Sequence, residues 1–89
     1  MTVKPTTRFK KDYKRYKHDI EKIKILESIV KILENEQEIP SRFKPHPLTG
    51  NYKGCMECHV GNDFLLIWRN PDNNLIYLVR LGSHSELFD

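Results

Sequence analysis

Apolar side chains in residues 9–33 recur every three or four positions, which is the spacing of one face of an α-helix. A first stripe is interleaved with lysine and arginine and consists of Phe9, Tyr13, Tyr16 and Ile20. A second stripe alternates with charged residues and consists of Ile20, Ile23, Leu26, Ile29, Val30 and Leu33. Because Pro40 cannot continue a helix, we predict a hairpin of two amphipathic helices, the second of which begins at His18 or Asp19.

Later stretches have the pattern of extended strands. Phe64–Trp68 and Leu75–Leu81 are apolar, and the Pro, Asp and Asn residues between them favour a turn, so they predict a β-hairpin. If residues 55–60 form another strand, alternation places Glu57 and His59 on the same face. Residues 2–7 combine β-branched residues with a proline, which suits an edge strand or an extended lead-in.

Residues 37–54 are predicted to form a loop. Every periodic pattern in this segment is interrupted by Pro40, Pro45, Pro47, Gly50 and Gly54. Long loops in compact domains are often functional. This one contains His46 and the basic residues Lys44 and Lys53.

Together these elements predict a single α+β domain over residues 1–89. The expected order is β-α-α-β-β-β with a short C-terminal tail, and the two-helix hairpin packs on one face of a small antiparallel sheet. A chain of 89 residues has room for one core and little for a large enclosed pocket. A functional site is therefore expected on the surface or in a shallow cleft.

Positive charge is concentrated at the amino end of the chain. Residues 1–17 carry seven of the 15 Lys and Arg residues but only Asp12 of the 12 acidic ones. Such a patch favours a polyanion such as nucleic acid, although a solvated helix face can have the same composition. No apolar stretch of ~7–15 residues follows the basic start, as it would in a signal peptide, and no run of ~18 apolar residues exists. We therefore expect a soluble, cytoplasmic protein that does not bind a membrane.

The two cysteines form the string Cys55-Met56-Glu57-Cys58-His59, which matches the C-x-x-C-H pattern of covalent haem attachment. Haem attachment of that type requires export, for which the chain shows no signal. A zinc site with two histidines is chemically acceptable, but residues 55 and 58 of a regular strand point to opposite faces. No βαβ unit surrounds the pair, as it would in a thioredoxin-like redox site. We expect two reduced structural thiols and neither a metal nor a cofactor.

A set of polar residues lies on separate predicted elements and would converge on the sheet face that the helices leave uncovered: His46, His59, Asp63, Arg80 and His84. Such a set supplies what RNA cleavage through the 2′-hydroxyl requires, namely a base, an acid and a positive group for the phosphorane. Imidazole, with an ordinary pKa near ~6.5, can serve as either acid or base. Arginine offers a bidentate fork to a phosphate.

At these residues the sequence resembles the YafQ branch of the RelE superfamily of bacterial toxins. The similarity is close over residues 37–88. Over the two predicted helices that precede them, the similarity is one of residue pattern only. It runs through His46-Pro47-Leu48-x-Gly50, Glu57-x-His59, Asp63-Phe64-Leu65-Leu66-Ile67-Trp68 and Arg80-Leu81-Gly82-Ser83-His84-Ser85-Glu86-Leu87-Phe88.

The resemblance implies an RNase-like fold and a toxin of a type II toxin–antitoxin module that cleaves mRNA, usually in the ribosomal A site. The functional positions of the family fall on His46, His59, Asp63, Arg80, His84 and Phe88, with Glu57 as a further candidate. The implied partners are mRNA, ribosomal RNA and an antitoxin whose acidic C-terminal segment covers the basic surface. DNA would be contacted only through the antitoxin.

Individual roles follow as hypotheses. We expect His84 and His46 to be the main proton-transfer pair, with Asp63 and His59 as a supporting base or orienting pair. We expect Arg80 to clamp the phosphate. Which histidine is the acid stays open.

Substrate binding is assigned to Glu57, Lys44, Lys53 and Phe88. The Phe88 ring would either stack on a base or anchor the tail in the core. The alternative function is a non-catalytic relative that inhibits a protein target such as gyrase, or that acts only as an antitoxin-bound corepressor.

Overall fold

The computed structural model describes residues 1–88. The strands are β1 (Thr2–Pro5), β2 (His46–Pro47), β3 (Met56–Gly61), β4 (Phe64–Asp72) and β5 (Leu75–Gly82). The α-helices are α1 (Thr7–Tyr16), α2 (Ile20–Glu34) and α3 (His84–Phe88), and short 3-10 turns lie at Ser41–Phe43 and Gly50–Tyr52. None of the helices within residues 1–88 has the length and apolarity needed to cross a bilayer.

The strands form one sheet in the order β1-β5-β4-β3-β2. Strands β2 to β5 pair antiparallel, whereas β1 runs parallel to β5, with Thr2 opposite Leu75. The predicted α+β fold is therefore confirmed, but the sheet is mixed rather than wholly antiparallel. The sequence pattern of a strand identifies its buried face and carries no information on its direction, so the parallel pairing was not predicted.

One face of the sheet carries the main core. Helix α1 packs against β5, and α2 packs against β3 and β1. Both predicted helical stripes contribute to this core, and Ile29, Phe64 and Leu66 have no exposed surface. Ile20 is an exception to the predicted stripes, because it is the first residue of α2, immediately after the capping Asp19, and is 67% exposed.

The opposite face carries a second, smaller core that was not predicted. It consists of Cys55, Leu65, Ile67 and Leu87, with Leu48, Tyr52 and Val79 packed against it. The face expected to be uncovered is therefore partly covered by α3 and by the segment before β3. Within that segment, which was predicted to be only a loop, residues 46–47 form β2 and pair with β3.

The segment predicted to be a C-terminal tail forms helix α3. The start of this helix is stabilised by two reciprocal hydrogen bonds between Ser83 and Glu86. The Ser83 hydroxyl accepts the Glu86 backbone N–H at 3.2 Å, and the Glu86 carboxylate accepts the Ser83 N–H at 2.8 Å. This reciprocal pair is a capping box. A helix of five residues is too short to be stable alone. Helix α3 is held in place by Leu87, whose side chain is buried in the second core.

Two tight connections shape the hairpins. Asp63, just before β4, has φ 51°, a left-handed conformation that Asp tolerates better than most residues. Pairing between β4 and β5 continues to Asp72 opposite Leu75. The turn predicted at Pro71–Asn74 is therefore shorter, because only Asn73 and Asn74 lie outside the strands.

Candidate active site

Strand register brings several of the predicted site residues into line across the sheet. His46 of β2 lies opposite Glu57 of β3, Glu57 opposite Ile67 of β4, and Ile67 opposite Arg80 of β5. Residues directly opposite each other share a face, and neighbouring strands are about 4.8 Å apart. His46, Glu57 and Arg80 therefore form one cross-strand row on the face of the smaller core.

A second row runs beside the first. His59 of β3 lies opposite Leu65, which lies opposite Gly82 at the end of β5. The ring centroids of His59 and His46 are 6.3 Å apart. His84 follows Gly82 by two residues and begins α3, where its ring packs against Phe88.

His46 and Glu57 form the most direct pair in the site. The His46 Nε2 lies 3.1 Å from Oε1 of Glu57, and its Nδ1 lies 2.8 Å from the carbonyl oxygen of Lys44. Since a carbonyl oxygen can only accept, the neutral tautomer that forms this hydrogen bond has its proton on Nδ1 and turns the Nε2 lone pair toward Oε1. The other carboxylate oxygen of Glu57 is buried without a hydrogen-bond partner among residues 1–88. This geometry suits a pair that accepts a proton at Nε2 during a reaction.

Asp63 holds the start of α3. One oxygen of its carboxylate accepts the backbone N–H of His84 at 2.8 Å. A carboxylate at the N-terminal end of a helix satisfies a free N–H and is favoured by the helix dipole. Asp63 and His84 are thus brought together, but through the main chain of His84, and both side chains remain exposed.

Arg80 is buried and paired. Its Nε donates to Oδ2 of Asp12 at 2.7 Å, and its Nη1 donates to the Tyr52 hydroxyl at 3.1 Å. The hydrogen bond to Asp12 is the main cause that raises the pKa of Arg80. A guanidinium has five N–H donors, so these contacts orient the group and leave donors for a phosphate.

Asp12 has a second partner in β5. Its Oδ2 also accepts the Leu81 backbone N–H at 3.0 Å. Strand β1 pairs with β5 only as far as Leu78, so Asp12 takes the place of a strand partner beyond that point. The carboxylate thereby aligns Arg80 and completes the edge of the sheet.

Tyr52 connects Arg80 to α3. Its hydroxyl donates to the Leu87 carbonyl at 3.2 Å, and its ring meets Phe88 edge-on at a centroid distance of 5.5 Å. Phe88 also packs against the His84 ring at 4.9 Å and is 39% exposed. An aromatic ring that is anchored at one edge and open on the other could still stack on a base.

Helix α3 is also tied to α1 through Glu86. The Glu86 carboxylate accepts hydrogen bonds from the Tyr16 hydroxyl and from Nη1 of Arg15, the latter at 3.0 Å. These hydrogen bonds lower the pKa of Glu86 to about 2. The largest contribution comes from the Ser83 N–H and the next from the Tyr16 hydroxyl. Burial and the bond to Glu86 raise the pKa of Tyr16 to about 12.

The remaining predicted residues stand apart from these contacts. Lys44 and Lys53 are exposed, and neither ammonium group has an ion pair within residues 1–88. Lys44 contributes only its carbonyl oxygen, to His46. Both lysines lie on the segment that borders the site.

The cysteines are buried on opposite faces of the sheet, Cys55 in the smaller core and Cys58 in the main core. Burial raises the pKa of both thiols, that of Cys58 to about 12. Across residues 1–88, no group of three or more His, Cys, Asp or Glu side chains is arranged to hold a metal ion.

Sequence reasoning missed three of these contacts. Asp12 lies at helical spacing from Phe9 and Tyr16, so an acid on the apolar stripe was the available signal. The Ser-x-x-Glu spacing of Ser83 and Glu86 was the signal for a helix N-terminus. Nothing local distinguishes Tyr52 from other loop aromatics.

A family model matches residues 1–89 of the chain, and its description reads "Bacterial toxin of type II toxin-antitoxin system, YafQ". The chain belongs to the YafQ family of toxins. Among curated proteins it is similar to the mRNA interferase toxin YafQ of Escherichia coli K12, with 37% identity over 75 residues, which cover 84% of this chain and 77% of that protein.

Solved structures of similar toxins have the same fold. A metal-bound toxin from Helicobacter pylori shares 39% identity, with a TM-score of 0.87 and 99% of each chain covered. In the E. coli DinJ–YafQ toxin–antitoxin complex the matching chain shares 29% identity, with a TM-score of 0.85 and 99% and 97% of the two chains covered.

Proposed function

We propose that this YafQ-family toxin is an endoribonuclease that cleaves mRNA, with side chains as the acid and the base. The observation that carries the proposal is the cross-strand row, which places the contacting pair His46 and Glu57 in line with Arg80 on one face of the sheet. The name mRNA interferase, borne by a relative 37% identical, supports the same activity.

The proposed reaction begins at the 2′-hydroxyl. The pair of His46 and Glu57 takes the 2′-OH proton, so that the oxygen attacks the adjacent phosphorus. Proton transfer by a positioned side chain is worth about 10²–10⁴ in rate. Glu57, expected from the sequence to bind substrate, is therefore better assigned to the base, while His59 flanks His46 as an orienting residue.

Arg80 and His84 act on the other side of the phosphorus. Arg80, held by Asp12 and Tyr52, presents its free N–H donors to the charge that develops on the phosphorane. His84 protonates the departing 5′ oxygen. Asp63 acts as a positioning residue, because it fixes the main chain of His84 rather than the ring.

The proposed setting is the cytoplasm, on the ribosome, until an antitoxin blocks the toxin. The exposed basic residues of α1 suit ribosomal RNA phosphates, since such contacts position a protein without reading sequence. The same positive surface suits the acidic C-terminal segment of an antitoxin, which could add a strand or helix to the toxin. The complex formed by DinJ and the E. coli toxin supports the existence of such a partner.

The activity is tested by inducing the protein in bacteria and mapping transcript ends. We expect new ends within translated regions for the wild type and their loss for His84→Ala. His18→Ala is the matched control, because His18 is exposed in the connection between α1 and α2 and should leave cleavage unchanged. Wild-type cleavage by His84→Ala would refute the assignment, and inhibited DNA supercoiling without new transcript ends would support the gyrase-type alternative.

A further inference from the structure

A groove of about 570 Å³ opens on the same sheet face as the candidate active site. Its lining includes Lys53, Arg69 and Tyr77, together with Tyr52 and Val79. The volume lies within the roughly 300–1,000 Å³ range of small-ligand sites. None of the roles assigned above uses Arg69 or Tyr77.

The groove adjoins a cleft beside Arg80. A smaller cleft, lined by Arg8 and Arg80 among others, shares Tyr52 and Val79 with the groove. The Tyr52 ring contacts Phe88, which contacts His84. A chain that passes His84 and Arg80 would therefore reach the groove next.

Charge and ring chemistry identify the kind of occupant. Arg69 and Tyr77 lie directly opposite each other on β4 and β5, and the guanidinium carbon is 5.9 Å from the tyrosine ring centroid. Arginine and tyrosine planes are surfaces on which single-stranded bases stack. Lys53 is an exposed cation beside them, suited to a phosphate. Within residues 1–88, no carboxylate lines the groove or the smaller cleft.

We propose that this groove binds a nucleotide of single-stranded RNA adjacent to the scissile phosphate, with its base on Tyr77 and Arg69 and its phosphate at Lys53. The assignment rests on the proposed RNA cleavage and adds a subsite to it. Asn51, exposed at the rim, supplies an amide donor and acceptor for the edge of the base.

The test measures binding of a fluorescent single-stranded RNA hexamer to the full chain carrying His84→Ala, which prevents turnover. In that background we expect Tyr77→Leu to weaken binding about 5- to 150-fold, the range for loss of one stacked base. Lys53→Gln should lower the slope of log affinity against log salt by about 0.7, the loss of one phosphate contact. Lys24→Gln is the charge-matched control on the exposed surface of α2, remote from the groove.

Arg69→Gln provides a second probe, because Arg69 is exposed and its replacement should not disturb folding. It should weaken binding more than Lys24→Gln does. If the parent binds the hexamer while Tyr77→Leu and Arg69→Gln bind like the Lys24→Gln control, the groove assignment is wrong and RNA cleavage stands. If the wild type neither binds nor cleaves RNA, the proposed function fails and the groove assignment fails with it.

Discussion

Asp12 and Arg80, 68 residues apart in the chain, form a buried ion pair with 2.7 Å between Oδ2 and Nε. The pair joins the first helix to the last strand and fixes the orientation of the Arg80 guanidinium, to which we assign the phosphate. A buried charge that loses its partner is strongly destabilising, whereas replacement of both charges by apolar groups can be nearly neutral. Asp12 therefore supports both the fold and the site.

Asp12→Ala should lower the free energy of unfolding by about 3–5 kcal/mol. The substitution leaves the buried Arg80 charge without its ion-pair partner and the Leu81 N–H without its acceptor. Urea unfolding measures this loss. Glu21→Ala, which removes an exposed acid at the start of α2, is the control and should change stability little. The double variant Asp12→Leu/Arg80→Leu should be more stable than the single variant Asp12→Leu, because it no longer buries an unpaired charge. Equal midpoints for Asp12→Ala and the control would contradict the structural role of the pair.

Tyr52→Phe should reduce RNA cleavage while costing only about 1 kcal/mol of stability, the usual net contribution of a hydrogen bond. The substitution keeps the ring that contacts Phe88 but removes the hydroxyl between Arg80 and the Leu87 carbonyl. Single-turnover cleavage and urea unfolding measure the two effects. Tyr13→Phe is the matched control, since the Tyr13 hydroxyl has no hydrogen bond within residues 1–88. Undiminished cleavage by Tyr52→Phe would show that the hydroxyl does not position Arg80.

Glu57→Gln should slow cleavage by about 10²–10⁴, the range for loss of a proton-transferring group. If His46 and Glu57 act as one unit, His46→Ala combined with Glu57→Gln should be little slower than either single variant. Cleavage rates of the three variants on one RNA test this. Glu38→Gln, an exposed acid outside the rows, serves as the control. Multiplicative losses in the double variant would mean that the two residues act independently.

Glu86→Gln should remove a pH-dependent part of the stability. Folding lowers the pKa of Glu86 from its ordinary 4.5 to about 2, so the unfolded chain takes up the proton first as the pH falls. The stabilisation is complete above about pH 4.5 and is lost as the pH falls toward 2. Wild type should therefore exceed Glu86→Gln in unfolding free energy at neutral pH, and the gap should narrow near about pH 3.

Urea unfolding at neutral pH and at about pH 3 compares the stability of the wild type with that of Glu86→Gln. Glu27→Gln, on the exposed side of α2, is the control. Gly82→Ala offers an independent check, because its new Cβ would lie 2.8 Å from Oε1 of Glu86 and displace the carboxylate. We expect that variant to lose the same pH-dependent stabilisation. A constant gap between wild type and Glu86→Gln across the two pH values would refute the role of the ionised carboxylate.

Periodicity along the chain was sufficient to locate both long helices, the apolar strands and the shared face of Glu57 and His59. Repetition at 3.6 or two residues reports which side of an element is buried, and that property is local. The family resemblance on the same residues added the toxin fold, which the comparisons confirmed.

Tertiary structure alone decided the direction of β1, the burial of α3 against the smaller core and the partners of Arg80. Each depends on contacts between residues far apart in the chain, such as Asp12 with Leu81 or Asp63 with His84. A carboxylate in a sequence carries no sign of whether its partner is water or a distant guanidinium. Only the fold, by burying Asp12 and Arg80 together, determines that the two charges must meet.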